Sequence, residues 1–380
     1  MMKADHASRM LPADHDRALL VGRMLLTDGP TPVVLRGGKV YDVSAHAPTV
    51  ADLLERDDVA RLDGPVVCDV AALIDPAGKH PDILSPIDLQ CVKAAGVTFA
   101  VSAIERVIEE RARGDADAAQ GIRADLESKI GGGIRSVKPG STEAADLKAA
   151  LIDAGMWSQY LEVAIGPDAE VFTKAPVLST VGWGAEVGIR SDSSWNNPEP
   201  EIVIVANASG QAVGATLGND VNLRDFEGRS ALLLGKAKDN NASTGIGPFI
   251  RLFDGTFTMD TVRDAVVDLR IEGTEGYVLT GTSTMREISR DPDDLVRQAL
   301  SEHQYPDGFV LFLGTLFAPV QDRDEPGRGF THKTGDVVRI ATPSLGELVN
   351  TVTTSKAASP WAFGIRDLMR NLAARGLIAA

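Results

Sequence analysis

Two glutamates stand two positions apart at the start of an apolar run, in the segment that begins at Asn197. If this run is a β-strand, side-chain alternation puts Glu199 and Glu201 on one face, followed on that face by Val203 and Val205. Neighbouring carboxylates repel each other, so they need a cation, a shared proton or open solvent. The pair is therefore either part of a cation site or a hydrated strand end with two surface glutamates.

A third carboxylate is expected to join this pair. The next apolar run leads to Asp220, and the turn residues Asn207–Gly210 predict a hairpin between the two runs. An antiparallel hairpin returns Asp220 to the Glu199 end of the first strand. Three carboxylates in one place form the oxygen ligand set that Mg²⁺, Mn²⁺ or Ca²⁺ prefers. A lysine nearby, such as Lys238, would offset the negative charge that one divalent cation leaves uncompensated.

The chain ahead of these motifs is predicted to form short helices and strands. A hairpin is expected around Gly37-Gly38, and Thr49 is expected to cap a helix. The apolar positions of that helix, at helical spacing, are Val50, Leu53, Leu54 and Leu62. A stretch rich in proline and glycine then favours a division into an N-terminal α+β module, residues 1–85, and a second domain, residues 86–380. Three helices, which together form a helical insert over about 102–155, are expected at Ser102–Arg113, Asp115–Lys129 and Ser141–Ala154.

From Tyr160 onward the pattern changes to short β-rich runs separated by turn residues. Strands are expected at 160–165, 201–206, 211–217, 248–253, 266–271, 277–283, 309–317, 336–342 and 347–352. Helices are expected at Asp293–His303 and Trp361–Leu377. Such spacing is typical of an α+β protein with mainly antiparallel or mixed sheets, and not of repeating βαβ units.

Charge and composition exclude several classes of protein. The formal net charge is −15, from 38 Lys+Arg against 53 Asp+Glu, which disfavours nucleic acid and anionic membranes as partners. The chain has two cysteines, no signal-peptide-like start and no apolar run near the length of a membrane span, so we expect a cytoplasmic protein with no membrane partner. Phosphate-binding, serine-hydrolase and zinc-protease motifs are also absent.

Further motifs follow the carboxylates in a fixed order. Residues 218–225 read Gly-Asn-Asp-x-x-x-Arg-Asp, and Lys238 precedes Gly247-Pro248. Gly314-Thr315 ends a predicted strand, and a last hairpin carries the Thr-Gly-Asp that starts at Thr334. With the Glu-x-Glu strand, this ordered set resembles the fumarylacetoacetate hydrolase family over residues 86–355.

The resemblance implies the family's mixed β-roll, with the site at the mouth of the sheets. It implies a metal site, with Mg²⁺ as the usual ion and Mn²⁺ or Ca²⁺ as substitutes, on the ligands Glu199, Glu201 and Asp220. It also makes Lys238 the active-site lysine and Thr315 a hydrogen-bond donor to the substrate. By analogy with the family, we expect a homodimer or homotetramer.

One departure from the family's pattern is informative. Where the hydrolases carry a histidine and then a glutamate that together activate water, this chain has Ser102 and Glu105. Serine is not a base at neutral pH, so carbon–carbon hydrolysis loses its general base, whereas Glu105 remains a candidate acid or base. In this respect the chain resembles the family's dehydratases of 2-keto-3-deoxy sugar acids. This resemblance implies Mg²⁺-dependent dehydration of 2-keto-3-deoxy-D-xylonate, equivalently D-arabinonate, to 2,5-dioxopentanoate in pentose catabolism.

Lys238 and Glu105 are thus the expected catalytic pair, and which of them is acid or base stays open. We expect the carboxylate to serve the departure of the hydroxyl and the lysine to serve the enolate side. Residues expected to contact the small anionic 2-keto acid, or to support those that do, are Thr315, Ser102, Arg224, Lys174, Ser191 and Asp192. The alternatives are a carbon–carbon hydrolase or decarboxylase of the same family, and a non-catalytic metal-dependent binding protein.

Overall fold

The computed structural model describes most of the chain. The described residues are 9–75, 79–113, 115, 137–153, 155–317, 319, 321–324 and 329–379. Of the three helices expected in the insert, the one at Asp115–Lys129 lies outside the described residues apart from Asp115 itself.

Sixteen strands, numbered β1 to β16 in chain order, are formed by described residues. They are Leu20–Leu26, Gly29–Arg36, Lys39–Asp42, Val66–Asp69, Asp82–Ile83, Cys91–Gly96, Glu170–Ala175, Glu186–Ile189, Asn196–Ala206, Ala212–Leu223, Thr244–Leu252, Val266–Glu272, Val278–Thr284, Phe309–Phe312, Val337–Thr342 and Gly346–Thr354. The described part of the chain also contains ten α-helices, numbered α1 to α10: Val50–Leu54, Val70–Ile74, Ala100–Arg111, Thr142–Asp153, Gln159–Ile165, Arg224–Glu227, Leu234–Lys238, Met259–Arg263, Pro292–Leu300 and Ile365–Ala374. Short 3₁₀ turns cover Val59–Arg61, Ala231–Leu233 and Met285–Glu287.

The described strands form two sheets, so the α+β class is confirmed. The larger has the hydrogen-bonding order β4-β3-β2-β1-β11-β10-β9-β14-β6-β7, with β5 paired to β1. The smaller has the order β13-β12-β15-β16-β8. Both are mixed sheets, because β14 runs parallel to β6 and β16 runs parallel to β8. The large sheet curls over, since Lys174 on β7 lies 3.1 Å from Asp220 on β10 although three strands separate β7 from β10.

The two faces of β9 pack against different parts of the chain. Ile202 and Ile204 belong to a core shared with the smaller sheet. Val203 and Val205, on the other face, pack in a core with residues of β1, β2 and α1. Both faces are therefore buried, which explains the continuous apolar run in this strand. The face that carries Val203 is the one that carries Glu199 and Glu201, as expected.

Most of the predicted elements are confirmed, with shifted ends. The hairpin at Gly37-Gly38 joins β2 to β3, and the turn at Asn207–Gly210 joins β9 to β10. The strand expected at 160–165 is wrong, because Ser158 caps a helix there that buries Tyr160, Leu161, Ala164 and Ile165. The spacing of those residues fits one face of a helix, and that burial outweighs the β-propensity of the segment.

The first helix is shorter than predicted. Thr49 caps α1 with a capping box to Asp52, and Asp88 accepts hydrogen bonds from the Val50 and Ala51 amides at 2.6 and 3.1 Å. The helix ends at Leu54, so Leu62, which was assigned to it, packs instead after the 3₁₀ turn.

The strands of residues 20–42 extend the large sheet. β1 pairs antiparallel with β11, with Leu20 opposite Arg251 and Val21 opposite Ile250. Sheet hydrogen bonds therefore cross the expected boundary near residue 85, and the division of the chain at that point stays a prediction. Among the described helices, none is both long enough and apolar enough to cross a membrane.

A buried ion-pair network holds the start of β15. Both oxygens of Asp336 accept hydrogen bonds from Arg323 at 2.7 Å, and Nδ1 of His332 lies 3.0 Å from the same carboxylate. Burial alone would raise the pKa of Asp336, but Arg323 and His332 lower it to about 2. Burial lowers the pKa of His332 despite its contact with Asp336.

The network predicts a pH-dependent contribution to folding. A lowered carboxyl pKa adds stability that is complete above the ordinary value of 3.8 and is lost as the pH falls towards 2. We expect Asp336→Asn to lower the free energy of unfolding by about 2 kcal/mol at neutral pH, measured by urea titration. The exposed Asp260, paired with Arg263, is the control, and its Asn variant is expected to change stability by less than about 1 kcal/mol. A difference between Asp336→Asn and the parent that persists undiminished in acid would contradict the assignment.

Candidate active site

The register of the central hairpin brings three carboxylates together. Asp220 on β10 lies opposite Glu199 on β9, and Gly218 lies opposite Glu201. Glu199, Glu201 and Asp220 are buried, and each offers an oxygen within 4.8 Å of the others'. The expected return of Asp220 to the Glu199 end is thus confirmed, and the surface alternative for the glutamates is wrong.

Two glycines lie next to Glu201, Gly218 opposite it on β10 and Gly314 as its hydrogen-bond donor. A Cβ on Gly218 would lie 2.3 Å from the ring of Phe312 and 2.6 Å from Val203. The amide of Gly314 donates a hydrogen bond of 2.6 Å to Glu201. Gly314 has a φ of 84°, and a Cβ there would lie 2.2 Å from the Thr98 hydroxyl oxygen. Glycine is therefore required at both positions, which gives a physical reason for the Gly-Thr at this strand end.

Lys238, the last residue of α7, reaches into the carboxylates. Its Nζ donates to Glu199 and, at 3.0 Å, to Asp220. Burial alone would lower the pKa of Lys238, but Asp220 and Glu199 raise it well above its ordinary value, so the side chain is an ammonium here. The fully buried Lys174 lies 3.1 Å from Asp220 and donates to the Lys238 carbonyl oxygen, so it fixes both residues.

Arg106 on α3 is a site residue that the sequence reasoning missed. Its guanidinium bridges two carboxylates, with donor–acceptor distances of 2.5 Å to Glu199 and 2.9 Å to Glu227. Burial alone would raise the pKa of Glu199, but Lys238 and Arg106 together lower it. The available signal was its position directly after Glu105 in a helix of alternating Glu and Arg, where a solvated face was the simpler interpretation.

Glu201 lies in the opposite electrostatic environment. Burial raises its pKa well above the ordinary value, and the charges of Asp220 and Glu199 raise it further. Within the described part of the chain, six carboxylates and three cationic side chains line the cavity, and Lys174 adds a fourth cation. Counted with every group ionised, six carboxylates and four cations leave a formal charge of −2, which one divalent cation would cancel. Carboxylate oxygens are also the ligands that Mg²⁺, Mn²⁺ and Ca²⁺ accept, so the residues fit such an ion.

The mouth of the cavity carries Glu105 and Arg224. Their side chains approach to 3.4 Å, and the Arg224 guanidinium lies 4.2 Å from the ring centre of Trp195. Ser102 donates a hydrogen bond of 2.7 Å to the carbonyl oxygen of Phe99, one turn back in the helix. The Ser102 hydroxyl thus donates its hydrogen to a backbone carbonyl, and not to a carboxylate that could activate it for catalysis.

Eight of the eleven residues that the sequence assigned to the site or to its support line one cavity. They are Ser102, Glu105, Glu199, Glu201, Asp220, Arg224, Lys238 and Thr315. Lining residues that were not assigned include Arg106, Glu170, Asn197, Asn222, Glu227 and Phe317. Ser191 and Asp192 are exposed and Asp192 pairs with Arg190, so the structure does not bring them to the cavity.

Fold and site together define a mixed β-roll protein with a buried carboxylate cluster able to hold a divalent cation. Residues 150–353 match the family described as fumarylacetoacetate (FAA) hydrolase C-terminal. A relative from Haloferax volcanii, described as a probable 2-keto-3-deoxyxylonate dehydratase, is 30% identical over 330 residues, which cover 84% of this chain and 94% of the relative. The chain belongs to the fumarylacetoacetate hydrolase family, as the motifs indicated.

Other relatives agree with this placement. The 2-dehydro-3-deoxy-D-arabinonate dehydratase of Saccharolobus solfataricus is 28% identical over 186 residues, 48% of this chain and 58% of that protein. A solved 2-keto-3-deoxy-D-arabinonate dehydratase in its apo form has a TM-score of 0.64 at 21% identity. A second solved structure described under the same enzyme name, complexed with magnesium and 2,5-dioxopentanoate, has a TM-score of 0.64 at 20% identity. Each alignment covers 88% of this chain and 99% of the other, and at such identities the likeness establishes the fold.

The carboxylate cluster predicts that removing one of its charges weakens the binding of divalent cations. Glu201→Gln keeps the size of the side chain but removes one anionic ligand, so we expect Mn²⁺ and Mg²⁺ binding by isothermal titration calorimetry to weaken at least about 100-fold. The exposed Asp192→Asn removes the same charge outside the cavity and is expected to bind both ions like the parent. Circular dichroism checks that both variants stay folded. Parental affinity in folded Glu201→Gln would mean that the ligand set is wrong.

Proposed function

We propose that the protein is a Mg²⁺-dependent hydro-lyase that dehydrates 2-keto-3-deoxy-D-xylonate, equivalently D-arabinonate, to 2,5-dioxopentanoate. The observation that carries the proposal is one cavity that combines the carboxylate cluster and Lys238 with Glu105 and Ser102. By the motif resemblance, Ser102 stands where the hydrolases carry their histidine. The names of the relatives from Haloferax volcanii and Saccharolobus solfataricus support this substrate class.

Glu199, Glu201 and Asp220 would hold the cation. A bound Mg²⁺ supplies Lewis-acid stabilisation of the negative charge that develops on a 2-keto acid. Gly314 keeps Glu201 oriented through its amide, and Lys174 keeps Asp220 in place. The three carboxylates are thus positioned before the ligand arrives, which reduces the reorganisation that binding and catalysis require.

Lys238 acts as a cation that stabilises the enolate. Its Nζ donates to Glu199 and Asp220, and both contacts favour the ammonium form, in which it donates hydrogen bonds and does not accept the C3 proton. A fixed positive charge beside the site where the enolate oxygen develops lowers the energy of the transition state. This assignment is more specific than the expectation from the sequence, which left open whether Lys238 or Glu105 is the base.

Glu105 is the group that moves protons. It lies at the cavity mouth beside Arg224, within the part of the wall formed by α3. Its carboxylate takes the C3 proton and returns a proton to the departing C4 hydroxyl, so one water leaves and a C3–C4 double bond forms. The hydrogens then lost from C5 and its oxygen are regained at C3 and C4, which converts the alcohol to the aldehyde of 2,5-dioxopentanoate.

Hydrolysis and decarboxylation are the competing activities of the same scaffold. Hydrolysis needs a base that activates water, and Ser102 instead donates to the Phe99 carbonyl. A non-catalytic binding protein would have no need for Lys238 and Glu105 around the same cavity as the metal ligands. A homo-oligomeric state and a cytoplasmic location remain part of the proposal.

The direct test incubates purified protein with 2-keto-3-deoxy-D-xylonate, with and without Mg²⁺. We expect 2,5-dioxopentanoate to form only with the cation, followed by a coupled dehydrogenase and confirmed by NMR. 4-Hydroxy-2-oxopentanoate, acetylpyruvate and oxaloacetate, assayed in parallel, report aldol-type cleavage, hydrolysis and decarboxylation. No cation-dependent product from the sugar acid, with turnover of acetylpyruvate or oxaloacetate instead, would replace the dehydratase assignment by one of the alternatives.

The two catalytic roles are separated by proton exchange. Mg²⁺-loaded protein is incubated with 2-oxopentanoate in D₂O, and NMR follows deuterium entry at C3. Glu105→Gln is expected to lose exchange and dehydration by at least about 100-fold, because the proton acceptor is gone. Lys238→Met is expected to slow both exchange and dehydration without abolishing exchange. Stabilisation of charge is lost in this variant, but the proton acceptor remains. Parental exchange in Glu105→Gln would reverse the assignment of the base.

A further inference from the structure

Two asparagines, Asn197 and Asn222, lie opposite each other in the β9–β10 hairpin, two residues from Glu199 and Asp220. In the β9–β10 register Asn222 lies opposite Asn197, just as Asp220 lies opposite Glu199. Residues two apart on a strand share a face, so the amide pair and the carboxylates line the same wall of the cavity. The amide pair lies about 7 Å further along the strands, towards the end that leads to Arg224.

The amide oxygens of this pair are buried and have no protein partner among the described residues. Asn197 is 3% exposed and Asn222 is 1% exposed. Neither Oδ1 accepts a hydrogen bond, although the Asn197 amide nitrogen donates 2.8 Å to the Pro198 carbonyl oxygen. A buried polar atom without a partner is unfavourable, so such an atom in a cavity wall is expected to be satisfied by a ligand or water.

The other polar groups around the cavity already have partners. Ser102 donates to the Phe99 carbonyl, and Glu105 contacts Arg224. The Thr315 hydroxyl oxygen accepts 3.1 Å from the Phe317 amide. The Thr315 hydroxyl keeps its hydrogen to donate, whereas Asn197 and Asn222 place two buried amide oxygens without a partner in this wall.

We propose that Asn197 and Asn222 form a hydroxyl-binding subsite for the C5 hydroxyl of the substrate. The inference rests on the proposed function, which places the keto-acid end of the substrate at the carboxylate cluster. C1 and C2 belong to that end and the C4 hydroxyl leaves beside Glu105, so the C5 hydroxyl is the polar group of the tail still without a partner. The spacing of about 7 Å along the strands is one that the tail of a five-carbon acid spans with its hydrogen bond.

Amides suit this role better than charged groups. A hydroxyl both donates and accepts, and a carboxamide offers an oxygen that accepts and a nitrogen that donates. Because the pair adds no charge, it recognises the sugar-acid tail without disturbing the electrostatic balance of the carboxylates. A site built to hydrogen-bond a hydroxyl also discriminates against analogues that lack it, since its own polar groups are then left unpaired.

Binding of two unreactive ligands tests the subsite without relying on turnover. 5-Hydroxy-2-oxopentanoate and 2-oxopentanoate differ only in the terminal hydroxyl, and neither has the C4 hydroxyl that dehydration removes. Isothermal titration calorimetry with Mg²⁺-loaded protein gives the ratio of their dissociation constants. We expect the parent to prefer the hydroxylated ligand by about tenfold or more, and Asn222→Ala or Asn197→Ala to bring that ratio close to one.

The preference ratio is an internal control, because any general loss of affinity affects both ligands equally. Asn219 supplies a matched variant: its Oδ1 is also buried without a partner and its Nδ2 donates 3.4 Å to Asn350, but it lies on the opposite face of β10 and does not line the cavity. Asn219→Ala is expected to keep the parental ratio even if it lowers stability. Metal affinity is expected to be parental in all three variants, which separates the subsite from the ligand set.

The outcomes distinguish the subsite from the proposed function. A parent that binds both keto acids equally, or an Asn222→Ala variant that keeps the preference, would overturn the subsite while the dehydratase assignment stands. A preference that the variants abolish, in a protein that does not dehydrate the sugar acid, would support the subsite and overturn the reaction. Failure of both keto acids to bind in the presence of Mg²⁺ would overturn both the subsite and the proposed function.

Discussion

The burial of three carboxylates at one end of the β9–β10 hairpin is the constraint on which the rest of the site depends. Removing several like charges from water is unfavourable unless cations and hydrogen-bond donors surround them. The chain meets that requirement with Lys238, Lys174, Arg106 and the amide of Gly314. Each of these groups comes from a different element, so the carboxylates link α7, β7, α3 and the end of β14 to the central hairpin.

This arrangement ties the architecture to the chemistry. Lys174 reaches Asp220 only because the large sheet curls until β7 approaches β10. Arg106 reaches Glu199 only because α3 packs over the strand ends, and the same helix places Glu105 at the mouth. The positions of Glu105, the proposed proton-transfer group, and of the carboxylates are therefore coupled through Arg106. Glu227, the second partner of Arg106, extends this coupling to α6.

The parts that the sequence predicted are those governed by local pattern. Side-chain alternation, a turn at Asn207–Gly210 and antiparallel return were sufficient to bring Asp220 to Glu199, and family motifs supplied Lys238 and Thr315. Long-range pairing was not predictable in this way: nothing local indicates that β1 joins β11 or that Arg106 bridges two distant glutamates. The segment at 160–165 failed for a different reason, because its apolar residues fit both a short strand and one face of a helix, and tertiary burial decided between them.

The net charge of −15 gains a specific meaning from the cavity. The proposed substrate is an anionic keto acid, which would approach an acidic protein against its overall field, so the attraction has to be local. Counted with every group ionised, the charged side chains of the cavity and Lys174 reach formal neutrality when a divalent cation is added, and Lys238 and Arg224 lie in the same wall. Without the cation the same count is negative, which disfavours an anionic ligand. Under the proposed function the metal is therefore needed for substrate binding as well as for stabilising the enolate, and the neutral amides of Asn197 and Asn222 would extend recognition along the wall without changing that balance.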